Sequence, residues 1–146
     1  MNLFGVLDIS GSALVAERQR AEILASNLAN AETTRTAEGG PYRRQHVVFA
    51  AGGPARSAFG MQLASLSDFA VRGVRVAGLV ADPAPPVRRF DPSHPDADAQ
   101  GYVSSPAINP IEEFVNLLEA SRAYQVNVSA VVATKNMIVS AFDILS

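Results

Sequence analysis

The chain has 146 residues, 48% hydrophobic and 18% charged, with a net charge of −2 and no cysteine. That length fits one domain with enough apolar material for a core. The charge balance gives no basic footprint for nucleic acid, which needs clustered Lys and Arg, and the missing cysteines exclude a disulfide framework or a Cys-ligated metal.

Residues 1–31 show no basic n-region ahead of an uninterrupted apolar stretch, because Asp8, Glu17, Arg18 and Arg20 break up the hydrophobicity. No run of about twenty apolar residues exists for a membrane span. A cytoplasmic protein is expected, or one that leaves the cell without a cleaved signal. Steps of four and three pick out Leu3, Leu7, Ser10, Leu14, Glu17, Ala21, Leu24, Leu28 and Ala31, a heptad seam with polar lapses at Ser10 and Glu17. Gly5 and Gly11 each weaken the early turns by roughly 1 kcal/mol, so firm helix is expected from about Ser12 to Ala29 with a softer start. Asn30 stands where the pattern stops and reads as a cap, since asparagine tolerates the left-handed conformation that ends helices. Asn27 lies one turn inside, where an amide lowers helix propensity. If this helix packs among copies of itself, that amide fixes register, as buried polar residues do in coiled coils.

Residues 32–109 are rich in Gly and Pro. "HVVFA" (46–50), "AFGMQLASL" (58–66) and "VRGVRVAGLVA" (71–81) read as short strands, with a turn at "AGGPA" (51–55). The five prolines of residues 82–101 predict an extended loop rather than an element.

The last helix opens at "INPIEE". Asn109 can cap it, Pro110 takes the first helical position, and Glu112 stands third, as in a capping box. Leu117, Ser121, Tyr124, Val128, Val131, Lys135, Ile138, Phe142 and Leu145 then repeat at 4,3 spacing. A second stripe holds Ile111, Phe114, Leu118, Val132 and Val139. Residues 110–145 would make a rod of roughly 50 Å. The fold expected is mainly α with a small β-rich insert. Residues 1–31 and 110–146 pair as a coiled-coil-like stem, and 32–109 form a middle of hairpin and extended loop. Two helices packed only on each other bury one stripe apiece, and large exposed apolar faces mark interaction surfaces. The subunit-packing candidates are Leu7, Leu14, Leu24, Asn27, Leu28 and Asn30 on the first helix. On the second they are Leu117, Tyr124, Val128, Val131, Ile138, Phe142 and Leu145.

Catalytic and cofactor-binding constellations are few. Asp91, His94, Asp96 and Asp98 fall within eight residues, and a metal-binding periplasmic or cytosolic enzyme is the alternative they raise. Their spacing matches neither a calcium loop nor a helical zinc site, and aspartates between prolines ordinarily cap turns. "SGS" (10–12) lies on a helix rather than at a strand-to-helix elbow. The glycines of "AEGGPYRR" (37–44) lack the Lys-Ser/Thr pair of a phosphate loop, and Arg43 and Arg44 read as polar surface contacts. No catalytic residue, cofactor, metal or small-molecule substrate is expected. A free coiled-coil adaptor is the other rival.

"ASNLANAETTRTAEGGPYRR" (25–44) resembles the Asn-Leu-Ala-Asn signature of bacterial flagellar rod and hook proteins, and its extension is similar to the members that build the proximal rod. "DPSHPDADAQGYV" (91–103) and "EASRAYQVNVSAVVATKNM" (119–137) agree in order and place. The resemblance covers residues 1–49 and about 76–146. Ala37 stands where the family usually has proline, and Pro110 where valine is common. The resemblance implies a structural subunit, not an enzyme. It would be exported by the flagellar type III apparatus without a cleaved signal and would assemble in the basal body, across the periplasm, into a torque-transmitting helical tube. Its partners would be copies of itself and other rod proteins.

Overall fold

A computed structural model describes residues 3–52 and 73–145 of the chain. Helix α1 spans Leu3–Ala29 and helix α2 spans Pro110–Leu145, 27 and 36 residues long. Between them run β1 (Gln45–Ala51), β2 (Val74–Ala81), β3 (Val87–Phe90) and β4 (Tyr102–Ser105). The fold is mainly α, with two small antiparallel strand pairs. Neither helix is long and apolar enough to cross a membrane.

Helix α1 is continuous from Leu3 through Gly5 and Gly11. Leu3, Leu7 and Leu14 are all half-buried, and such tertiary packing outweighs single-residue propensity. Along α1 the seam positions Ser10 and Leu24 are buried and Glu17 is half-buried, but Ala16 and Asn27, each one residue before a seam position, are buried as well. At the helix end, Asn30 caps by a different device from the one expected. No non-glycine residue has positive φ among the described residues. Instead, Asn30 donates from both its backbone N–H and Nδ2 to the Ser26 carbonyl, at 3.0 and 2.9 Å. Its Oδ1 then accepts the Thr33 hydroxyl at 3.1 Å.

Helix α2 starts as its sequence indicates. The Asn109 side chain accepts the Ile111 N–H at 3.0 Å, and the Asn109 carbonyl accepts the Glu113 N–H at 3.1 Å. Among the described residues no bond from Glu112 closes a capping box; its charge simply lies in the first turn, where it favours the helix dipole. The inward stripe of α2 runs through Glu113, Leu117, Ala120, Asn127, Val131, Thr134 and Ile138, all buried or half-buried. It is displaced by about one residue from the heptad count at Tyr124, Val128 and Phe142, which are exposed.

Strands β1 and β2 pair between two flanking bonds, Asp82 N–H to the Arg44 carbonyl at 2.8 Å and Gly52 N–H to the Gly73 carbonyl at 2.5 Å. The strand expected at 58–66 and residues 53–55 of the expected turn lie outside the described residues. The proline-rich segment corrects its expectation, because it contains β3. Val87 pairs with Ser105 and Phe90 with Tyr102. Pro86 and Pro92 flank the strand rather than interrupt it, so no ladder N–H is lost inside it. Phe90 meets Tyr102 edge-on at 5.3 Å, and the Arg88 guanidinium lies 4.8 Å from the Tyr102 ring.

By compactness the chain falls into two units. One gathers Met1–Gln19, Phe49–Ala77 and Ala120–Ser146, and the other gathers Arg20–Val48 and Gly78–Glu119. In the first, the buried described side chains are small or polar: Ser10, Ala16, Ala120 and Thr134. There the Gly73 backbone lies against α1, with the Val74 N–H donating to Ser12 Oγ at 3.0 Å. In the second, Leu24, Asn27, Val103 and Glu113 are buried.

Candidate functional site

Two polar residues, Asn27 and Glu113, are wholly buried in the second unit. Asn27 Nδ2 donates to the Gln45 carbonyl at 2.9 Å and to Glu113 Oε2 at 3.0 Å. Its Oδ1 accepts the Gln45 N–H at 3.0 Å and the Tyr42 hydroxyl at 3.1 Å. An amide side chain has two donor hydrogens and two acceptor lone pairs, and all four are used. The other carboxylate oxygen of Glu113, Oε1, forms an ion pair with the Arg44 guanidinium. The end of α1, the start of β1 and the first turn of α2 therefore meet in one network. Burying an amide and a carboxylate is tolerable because each is paired.

This arrangement revises two expectations. Asn27 spends its hydrogen bonds inside its own chain, which leaves none for setting register with a neighbouring copy. Arg44 is not a surface contact, since its side chain is only 20% exposed and it neutralises Glu113. No local motif singles out Glu113; its signal is its register, four residues before Leu117 and seven before Ala120 on the inward stripe.

The residues after α1 wrap this junction. The Tyr42 N–H donates to the Thr33 carbonyl, and the Thr36 N–H donates to the Gly40 carbonyl at 2.8 Å. Gly39 and Gly40, at φ of 89° and 77°, make the reversal, a region costly for side-chain-bearing residues. Thr34 then donates its hydroxyl to Asp96 Oδ2 at 2.7 Å, and Arg35 lies 3.5 Å from the other oxygen. Segments 25–44 and 91–103, far apart in sequence, are thus joined.

The aspartates of 91–98 work as turn formers. Asp98 Oδ1 accepts the N–H groups of Gln100 and Tyr102, both at 2.9 Å, while Oδ2 accepts from Arg88 at 2.7 Å. The Tyr102 N–H, first among these, holds the Asp98 carboxyl below the usual carboxylate range. The Ser93 hydroxyl does the same for Asp91. The Ala84 N–H, with His46 second, does so for Asp82. His94 Nδ1 accepts the Asp96 N–H at 3.1 Å, so that nitrogen is turned toward the loop backbone. Among the described residues no three His, Asp or Glu side chains converge on a common point.

The packing candidates separate into two sets. Leu24 is buried; Leu7, Leu14, Leu28, Asn30, Leu117, Val131 and Ile138 are half-buried. Tyr124, Val128 and Phe142 are exposed; Leu145 ends α2, and its side chain lies outside the described residues. The larger apolar surface is one the heptad count only partly named. Phe114, Tyr124, Val128, Val132, Val139 and Phe142 form one exposed stripe of α2, and Ile111, Val115, Leu118, Val126 and Met137 form another. Helix α1 adds Phe4, Ile9 and Val15. Exposed apolar faces of this extent mark interaction surfaces.

The profile described as Flagella basal body rod protein matches residues 7–35, and that described as Flagellar basal body rod FlgEFG protein C-terminal matches residues 99–144. The chain is also similar to proteins called flagellar basal-body rod protein FlgC. It is 40% identical to that of Yersinia enterocolitica, over 99% of this chain and 98% of the relative. It is 39% identical to that of Bacillus subtilis and 38% identical to that of Borreliella burgdorferi, each over 99% of both chains.

Proposed function

Since the chain belongs to the FlgC family of flagellar basal-body rod proteins, we propose that its terminal helices pack against those of neighbouring subunits in a helical tube that transmits torque. The role is structural and the place is the basal body. The finer reading rests on one observation: α2 carries two exposed apolar stripes besides its inward one. Two separate stripes call for more than one neighbour. Contacts that join different patches and do not close on themselves generate helical filaments. The helical stem of 1–31 and 110–146 is then the packing part, completed as a coiled-coil-like bundle only among subunits, and residues 32–109 are its insert. The neighbours are further copies and other rod proteins. The chain reaches them through the flagellar type III apparatus without a cleaved signal.

Val126 and Phe142, 68% and 67% exposed, test this. Aspartate at either position leaves nothing buried unpaired in the free chain, so its melting should barely change. In the tube the same charge would sit in an apolar contact, at a loss of roughly 1.5–3 kcal/mol of burial plus the penalty of an unpaired charge. Val126→Asp and Phe142→Asp should be made and exported but leave a deletion strain non-motile, while Phe142→Leu restores swimming. Full motility with both aspartates would remove α2 from the packed interior.

A further inference from the structure

We propose that the Asn27–Glu113–Arg44 junction is a register latch, fixing one axial alignment of the last turns of α1 against the first turns of α2. The need for one comes from the residues around it. Leu24 is buried, and Leu28 and Leu117 are half-buried. Such side chains attract without direction, so their burial alone does not single out one alignment among those a helical turn, about 5.4 Å, apart. The Arg20–Glu119 pair, at 3.9 Å and with Glu119 well exposed, is too long and too wet to discriminate.

The junction behaves differently. Asn27 reaches Glu113 Oε2 at 3.0 Å while holding both backbone groups of Gln45. A slip of one turn carries the carboxylate out of hydrogen-bond reach of Asn27 and away from Arg44. A buried charge stripped of partners is strongly disfavoured, so slipped alignments are rejected by this junction rather than by apolar burial. Gln45 opens β1 and therefore ties the same alignment to the strand. Buried polar residues are best attested in this registry role. Every group involved belongs to a single chain, so the latch does not rest on the reading of the assembled tube.

The test uses the absence of cysteine. Spin labels on Ala25→Cys and Glu112→Cys, both exposed positions, report the α1–α2 distance in the monomeric full-length chain. The parent should give one narrow distance. Asn27→Ala and Glu113→Ala should broaden it or add a population displaced by about 5 Å, whereas Glu113→Gln, whose amide oxygen still accepts from Asn27, should keep one peak. Leu24→Ala, a purely apolar loss one turn from Asn27, should lower the melting temperature and keep one peak. A single parental distance in folded Asn27→Ala, or equal broadening in Leu24→Ala, overturns the proposal. Should Glu113→Ala not fold, Asn27→Ala against Leu24→Ala decides it alone.

Discussion

Glu113→Ala should be among the most damaging single substitutions in the chain. It takes the counter-charge from Arg44, whose Nε is already buried without an acceptor and whose side chain is only 20% exposed. It also removes the acceptor of one Asn27 N–H at a site closed to water. Breaking a buried ion pair by deleting one partner costs about 3–5 kcal/mol. Arg44 retains some access to solvent, so about 3 kcal/mol is the working figure. The junction lies in a unit of about 70 residues, where each kcal/mol moves the midpoint by roughly 4–8 °C, so a fall of roughly 12–24 °C is expected. Thermal and urea melts followed by circular dichroism on the purified monomer would measure it. Glu113→Leu combined with Arg44→Met, which removes both charges, should recover most of the loss, because replacing a buried pair with apolar groups is often neutral. If Glu113→Ala melts within about 2 °C of the parent, or the double variant is no better than the single one, the junction is not a desolvated pair and the reasoning fails.

Gly73→Ala should destabilise the first unit, since an added Cβ would stand 2.2 Å from Ser12 Oγ and 2.9 Å from its Cβ. Adding Ser12→Gly should restore part of the lost melting temperature, and no recovery would place the strain elsewhere. Asp82, Asp91 and Asp98 each ionise more readily in the folded chain than usual. Their contribution is therefore fully present above about pH 4 and fades as pH falls through their lowered values. Hydrogen exchange at the Gln100 and Tyr102 amides, corrected for intrinsic rate, should accelerate below that pH in the parent. In Asp98→Asn it should be fast and flat, and a matching pH profile in that variant would refute the assignment.

Local physics made the helices readable. Pro110 and Asn109 give the start of α2 its own chemistry, and a 4,3 repeat of apolar residues leaves little choice of element. The same repeat misplaced the inward face of α2. It follows size and apolarity, whereas the buried positions Ala120 and Thr134 are small or polar and the large Phe142 is exposed. Asn27 announced itself by breaking helix propensity, but nothing local named its partner. A capping rule singles out Glu112, and only a contact from across the chain makes its neighbour Glu113 the buried one. β3 is hidden in the sequence because five prolines argue against any element, yet Pro86 and Pro92 stand outside the paired residues.

The bond between Asn27 and Glu113 spans 86 positions of sequence, and that separation has a bearing on timing. A chain synthesised from its N-terminus presents Asn27, Tyr42, Arg44 and Gln45 together, while the carboxylate that completes them is still far behind. Until it arrives, one amide hydrogen and a guanidinium stay in water, and closing so long a loop costs about 4 kcal/mol in chain entropy beyond a constant. An incomplete chain is thereby denied the contact that would fix its first helix in place. The last helix to emerge is the one that closes the first.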